Sequence, residues 1–273
     1  MKNVSILISS CDHFSDCWSP YYHGLHKYWP DCPYDVFIVT NFRESGDQSV
    51  RAIKVGNDMG WSFNTLKALN EITSPYIIYT HEDFWIKNSV STKTIEEYVT
   101  YMVEDRADYI RLYPCPGPDH ECEFDDRLGV LDDNSDYRTS LQVALWRKSV
   151  FQDLIREDEN PWQFERYGSL RSKRYGSRFL SVKRFYGPDN KLFHHGVDYV
   201  CTAINKGKWS KAARTYAASE ELDIDFSNRP GETWWHDFTR SGAFGAFVGQ
   251  VFALPKIVIN KAVKGVGRLF GKK

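Results

Sequence analysis

The chain has six cysteines, Cys11, Cys17, Cys32, Cys115, Cys122 and Cys201, but no Cys-x-x-Cys pair. No histidine spacing completes a tetrahedral set either, so structural zinc is excluded as the organising device. An excess of one charge sign is also missing. Lys and Arg number 35 against 36 Asp and Glu, which leaves no global basic field for a nucleic acid. No run approaches the roughly 18 apolar residues that a membrane-spanning helix requires. Met1-Lys-Asn leads directly into the strand-like Val4-Ser-Ile-Leu-Ile8, without a signal-peptide pattern. A reduced, cytoplasmic protein is therefore expected.

What is abundant is aromatic. Phe, Trp and Tyr make up 15% of the chain, with nine Trp and sixteen Tyr among them. Sugar-handling proteins share this bias, since pyranose C–H faces pack on aromatic rings; dense cores share it too.

Apolar β-branched runs at 4–8, 34–40, 52–55 and 76–79 read as buried strands. Helical patterns at 15–28 and 61–72 separate them, the second with Leu66, Leu69 and Ile72 on one face. This alternation predicts a nucleotide-binding α/β half. Further on, a helix is expected at 92–104, strands at 109–113 and 141–146, helices at 148–156 and 211–220, and a turn-rich loop or hairpin over 114–136.

The sharpest local signal is Tyr76-Ile-Ile-Tyr-Thr-His-Glu-Asp-Phe-Trp-Ile86. Its strand ends abruptly in His81, Glu82 and Asp83. Carboxylates at the C-terminal end of an inner strand lie where open α/β sheets bind ligands. They are hard oxygen donors, suited to Mg²⁺ or Mn²⁺. The plain alternative is a solvated turn.

Two segments stand out by charge. Positions 166–184 hold seven Lys/Arg and no acid, with Arg-Tyr-Gly-Ser occurring twice, from Arg166 and from Arg174. They read as a solvated or membrane-facing surface loop. Positions 241–273 hold six Lys/Arg, no acid and interleaved apolar residues. That is the composition of an amphipathic helix lying on a membrane surface, or of a helix docked on the body. The expected division is a domain at 1–240 and this appendage at 241–273.

The element order, and the run from Gly60-Trp61 through Leu69 and Ile72 to the Tyr76 motif, resembles the GT-A type glycosyltransferases. More narrowly, it looks like bacterial capsule or O-antigen sugar transferases. Ser140-Leu-Gln-Val-Ala-Leu-Trp-Arg147, Pro161-Trp-Gln-Phe-Glu165 and Gly207-Lys-Trp209 support the likeness, which spans 4–209. It implies a Rossmann-like, mostly parallel sheet flanked by helices. It also implies transfer from a nucleoside diphosphate sugar to a saccharide, lipid-linked or on a surface glycan, by a protein peripheral to the inner membrane face. The family's Asp-x-Asp motif would fall on His81-Glu82-Asp83, with His in place of the first Asp.

On this reading Ser9, Ser10, Asp12, Asp58 and Trp61 are candidates for the base and ribose. Asp58 alternatively caps the Trp61 helix, and Trp61 alternatively belongs to the core. Asp83 would hold a divalent cation, Mn²⁺ or Mg²⁺, with Glu82 on the ribose or a metal-bound water. Without a metal, the 166–184 stretch and Lys206 and Lys208 would meet the diphosphate, or equally grip an acceptor's lipid pyrophosphate. Glu165 is the candidate base for inverting transfer, with Pro161, Trp162 and Phe164 as desolvating neighbours; the alternative pairs it with a nearby arginine. Asp153 and Asp198 are weaker bases, and His194 and His195 reach the diphosphate or sit in an ordinary turn. Two other classes remain open. A nucleotidyltransferase would carry a Gly-rich, basic loop after the first strand, which Ser9-Ser-Cys-Asp-His13 is not. A non-catalytic, membrane-associated sugar-binding protein would suit the incomplete Asp-x-Asp motif.

Overall fold

A computed structural model describes residues 3–231. The chain divides into two compact units, Met1–Ala203 with Ala212–Ile224, and Ile204–Lys211 with Asp225–Lys273. The segment 241–273, the boundary expected at 240 and the membrane role assigned there lie outside the described residues.

The first unit is built on a nine-stranded sheet. Its strands are β1 (Val4–Ser9), β2 (Asp35–Thr40), β3 (Val50–Lys54), β4 (Tyr76–His81), β5 (Tyr109–Arg111), β6 (His120–Glu121), β7 (Leu128–Val130), β8 (Ala144–Arg147) and β9 (Phe179–Val182). They run in the order β3-β2-β1-β4-β8-β5-β9-β7-β6. Within this sheet β7 and β8 alone oppose the common direction. This is the mostly parallel α/β arrangement expected from the sequence. Every residue of β1 is buried, because helices cover both faces of such a sheet and leave no polar side.

Helices α1 (Trp18–Tyr28), α2 (Trp61–Glu71), α3 (Thr92–Val103) and α4 (Lys148–Leu154) flank the strands. In α1 the buried Trp18, Tyr21, Tyr22 and Leu25 follow helical spacing and make one apolar stripe. Gly60 opens α2 at φ 98°, a conformation that a Cβ would strain. The chain leaves β1 on one side for β2 and β3, then returns on the other side as β4. The C-terminal ends of β1 and β4 thus form the switch point where open sheets bind ligands.

The core around β4, β8 and β9 is aromatic. Trp146 stacks on Phe151 at 4.6 Å and meets Tyr109 at 4.2 Å. Phe164, fully buried, lies 5.2 Å from Trp61 and 5.7 Å from Phe151.

Three stretches differ from expectation. The hairpin within 114–136 joins the sheet as β6 and β7 instead of lying over it. The strand expected at 141–146 is β8, while Leu141 belongs to the loop before it. The basic run 166–184 is no loop. It continues the short helix α5 (Pro161–Gln163) through a π-helical turn (Phe164–Gly168), α6 (Ser169–Ser172) and a 3-10 turn (Lys173–Arg178), then enters the fully buried β9. Most of its cations are held by partners: Arg171 by Glu159, Arg174 by Asp153, Arg178 by Asp108 and Lys183 by Glu121. Among the described residues, Arg166 and Arg184 have no ion-pair partner.

A two-stranded ribbon, β10 (Phe185–Tyr186) with β11 (Leu192–Phe193), follows. In the second unit β12 (Ile204–Asn205) and β13 (Lys208–Trp209) form a hairpin. Lys206 and Gly207 turn it with positive φ at both positions, the geometry that matches strand twist. Trp209 donates its Nε1–H to Asn228 at 2.9 Å. Among the described residues no helix is long and apolar enough to cross a membrane.

Helix α7 (Lys211–Ser219) is followed by Glu220, whose carboxylate fastens this stretch to α1. It accepts from Lys27 at 2.6 Å, His23 at 2.8 Å and Tyr28 at 2.5 Å. Burial opposes its ionisation, but these three partners prevail and hold its pKa at about 2, against an ordinary 4.5. Its stabilisation is therefore complete above pH 4.5 and is lost as pH falls toward 2. Glu220→Ala is expected to cost about 1–3 kcal/mol at pH 7. Urea midpoints should show that the loss shrinks in acid, where the wild type weakens toward the variant.

Candidate active site

Asp12, in the loop after β1, ties the rim of the switch point together. Its carboxylate accepts from the backbone N–H groups of Asn41 at 2.9 Å and Phe42 at 3.0 Å. Its own N–H donates to Asn41 Oδ1 at 3.0 Å, and Asn41 Nδ2 donates to the Gly56 carbonyl at 2.9 Å. Asp12 thus ties the segment after β1 to the loop after β2, and Asn41 carries the link on to the loop after β3. Ser10 Oγ accepts from Trp18 Nε1 at 2.8 Å. Asp58 accepts from Gly60 N–H at 2.9 Å and from Asn64 Nδ2 at 2.8 Å, so its carboxylate organises the start of α2.

Tyr79 is the polar hub below this rim. Trp61 Nε1 donates to its hydroxyl at 2.7 Å; burial pushes that hydroxyl's pKa up, and the Ser9, Trp61 and Thr65 side chains oppose the shift. Trp61 therefore packs on Phe164 with one face and serves the hub with its edge. Parallel pairing sets Ser9 opposite His81, and Glu82 N–H donates to the Ser9 carbonyl at 3.4 Å. Burial pushes the Cys11 thiol above its ordinary value, and the charges of Glu82 and Asp58 push it further. Ser9, Asp58, Trp61 and Glu82, drawn from four separated segments, are thereby brought around one spot.

Within the His81-Glu82-Asp83 sequence the three side chains do different things. His81 is pushed down to about 4 by burial, with a weaker opposing hydrogen bond to the Leu141 carbonyl; it is a neutral imidazole at pH 7. Glu82 is buried, and Asp83 is partly exposed. Rings continue outward from His81: Phe84 at 5.0 Å, Tyr199 on Phe84 at 4.4 Å, Tyr113 on Tyr199 at 4.5 Å and His194 on Tyr113 at 5.4 Å.

Glu165, in the π-helical turn Phe164–Gly168, is held at the loop before β8. Its Oε1 accepts from Leu141 N–H at 2.8 Å and from Ser140 Oγ at 3.3 Å. The Leu141 N–H is thus held by Glu165. Burial raises the Glu165 pKa above its ordinary value; Leu141, Ser140 and the Arg111 charge resist this. No ion pair joins Glu165 to a described lysine or arginine. Of the neighbours expected to desolvate it, Phe164 is buried, but Trp162 is 76% exposed and turned away.

Arg111, Ser140, Leu141 and Tyr79 were missed by sequence reasoning. Arg111 is fully buried and gives its guanidinium to the carbonyls of Pro116 and Tyr137, both at 2.5 Å. A charge inside the apolar Tyr109-Ile-Arg-Leu112 run was its signal. Lys206 and Lys208 belong to the hairpin of the second unit. Asp153 is taken by Arg174 and Tyr175, and Asp198 by Asn88 and Lys87. Both ring nitrogens of His194 are buried without a hydrogen-bond partner. His194 lines a 350 Å³ cavity together with Lys87, Tyr113, Arg184 and Asp198. His195 packs between Phe185 and Phe193.

Among the described residues, no three His, Cys, Asp or Glu side chains converge into a self-contained metal cage. The donors present, two adjacent carboxylates, fit a hard ion that completes its shell with water and substrate phosphates.

No protein-family model and no curated protein matches the chain. Solved structures similar to it include a fragment of S. aureus TarS in complex with UDP, at a TM-score of 0.45 and 14% identity, covering 66% of this chain and 57% of that one. Another is an active-site mutant of LgtC, at 0.42 and 11%, covering 79% and 95%. A third is bifunctional IspDF from Campylobacter jejuni, at 0.39 and 11%, covering 71% and 52%. Likeness at this distance assigns no activity.

Because the Asp12 carboxylate accepts from successive backbone N–H groups of the loop after β2, Asn41 and Phe42 among them, Asp12→Ala should destabilise the fold by about 1–3 kcal/mol. Denaturant unfolding of the unliganded protein checks this. A ribose ligand with no structural duty would instead leave that stability unchanged.

Proposed function

We propose that this protein is a glycosyltransferase that moves a sugar from a nucleoside diphosphate sugar to a saccharide hydroxyl with inversion. The observation that carries the reading is Glu165. It is a desolvated carboxylate with a raised pKa and no cationic partner among the described residues, held in place by the Leu141 N–H at 2.8 Å. In this mechanism Glu165 takes the proton of the acceptor hydroxyl. The freed oxygen pair attacks the anomeric carbon, and the bond from that carbon to the diphosphate breaks with its electrons on the leaving oxygen. Asp83, with Glu82 beside it, would hold Mg²⁺ or Mn²⁺. Such an ion supplies Lewis-acid neutralisation of the leaving diphosphate. The rim formed by Ser9, Ser10, Asp58 and Trp61 would take base and ribose. His81 is neutral and turned to Leu141, and it serves position rather than charge.

A thermal-shift screen of nucleoside diphosphates, each with and without Mn²⁺, tests the donor site. One diphosphate at 100 times its Kd should add about 2.7 kcal/mol of stability. The Mn²⁺-dependent increment should vanish in Asp83→Ala. If no diphosphate stabilises the protein, the reading fails.

Glu165→Gln should lower kcat by about 10²–10⁴ while leaving the diphosphate shift intact. The base must be ionised, so wild-type kcat/KM should fall on acidification through a pKa above the ordinary 4.5 of a glutamate. That limb should be absent in the variant. A product of retained anomeric configuration, seen by NMR, would remove Glu165 from this role.

A further inference from the structure

The outer side of the helix that carries Glu165 borders an 850 Å³ cleft. Its walls present Trp162 at 76% exposure, Tyr137 at 54% and Tyr167 at 44%. Three large rings left in water forgo a part of the burial that would favour each of them. Grouped exposed apolar surface of this kind marks a place that something else covers.

The rings are held firmly. Asn160 Oδ1 accepts from Gln163 N–H, and Gln163 Oε1 accepts from Asn160 N–H, each at 2.9 Å. With Pro161 in the first turn, this reciprocal cap fixes the helix start on which Trp162 stands. Phe164, two residues on, anchors the same turn in the core. The following π-helical turn carries Arg166 and Tyr167; such turns recur at functional sites.

Tyr137 provides an independent observation. Its φ is +55°, a left-handed conformation uncommon for a bulky residue. Its carbonyl is fixed by Arg111 Nη2 at 2.5 Å and by Ser140 N–H at 2.9 Å. A fully buried arginine thus holds a strained backbone that presents an aromatic ring to solvent. Strain that surrounding structure maintains in this way clusters at ligand clamps.

The same cleft is lined by short polar groups, including Asn134 and Ser135, and by charges of both signs, Asp136 and Arg166 among them. Neither Asp136 nor Arg166 has an ion-pair partner among the described residues. Flat rings interleaved with amide, hydroxyl and charged groups complement a sugar, whose C–H faces pack on the negative face of a π-system while its hydroxyls seek donors and acceptors at the rim. An anionic membrane would call instead for a convex surface of uniform positive charge.

We propose that this cleft binds a neutral oligosaccharide across two or more consecutive rings, through Trp162, Tyr137 and Tyr167. The Glu165 carboxylate points to Leu141, on the inner side of the same helix. The cleft therefore grips acceptor units remote from the reacting hydroxyl, and that binding positions the chain end for transfer. The inference rests on the transferase reading for the identity of the bound chain, but not for the binding itself.

The full-length protein is titrated with maltohexaose, cellohexaose, laminarihexaose and chitohexaose, and with the corresponding monosaccharides, by tryptophan fluorescence and saturation-transfer NMR. Trp162 is the sole exposed tryptophan among those described, so Trp162→Phe identifies its share of the signal. At least one hexasaccharide should bind, and more tightly than its monosaccharide. Trp162→Ala and Tyr137→Ala should each weaken it about 10-fold or more, with Trp162→Phe restoring most of the affinity. The diphosphate thermal shift should persist in Trp162→Ala, a substitution at an exposed position.

If no hexasaccharide binds while a diphosphate still stabilises the protein, the cleft assignment is overturned and the transferase reading stands. Hexasaccharide binding without any diphosphate effect keeps the cleft and removes the transferase reading. Binding indifferent to both alanine variants overturns the assignment. So does Trp162-dependent dimerisation in sedimentation, or Trp162-dependent adsorption to phosphatidylglycerol vesicles, in the absence of sugar binding.

Discussion

The parallel pairing of β1 with β4 is the constraint on which the rest depends. Both strands are buried, so each satisfies its backbone through its neighbours and has no solvent face to slip toward. The pairing sets Ser9 against His81. From that register follow the position of Glu82 over the β1 end, the reach of Tyr79 to Ser9 and Trp61, and the turn of His81 toward Leu141. A slip of one residue would exchange every side chain between the faces and scatter these groups.

The site is an arrangement of electrostatic restraint. Glu165 is desolvated, which favours a proton on it, while Arg111 lies close enough to oppose that shift. Arg111 has backbone carbonyls as partners in place of a carboxylate, so its charge is left to act at a distance. Glu82 and Asp58 act together on Cys11, which indicates a region of negative potential at the switch point. Such a region favours a cation and disfavours a bare diphosphate.

The strands β1 to β4 could be read from the chain because burial on both faces leaves continuous β-branched and aromatic runs. Helix α2 could be read from Leu69 and Ile72 and from the glycine at its start. The strand β9 could not. Four residues, Phe179 to Val182, stand between Arg178 and Lys183, and the charges hid them. Arg178 is neutralised by Asp108 and Lys183 by Glu121, partners far away in the chain. Arg111 and Arg138, both fully buried, escaped for a similar reason, since they donate to backbone carbonyls distant in the chain, those of Tyr137 and Ser172. Trp162 and Phe164 looked alike in sequence; only the helix phase sends one to solvent and the other to the core. Glu165 was legible as a carboxylate among apolar neighbours, but its tie to Leu141 was not, because a backbone N–H leaves no trace in composition.

The sheet has two outer edges, and each is short or charged. At one, β6 consists of His120 and Glu121 alone, both exposed. At the other, β3 places exposed Arg51 and Lys54 along its length, with Arg51 paired to Asp35 and Lys54 to Glu44. A strand from another molecule would have to desolvate these ions before gaining a ladder of hydrogen bonds. At high concentration the protein is thus guarded against the edge-to-edge growth that turns a wide sheet into a fibril.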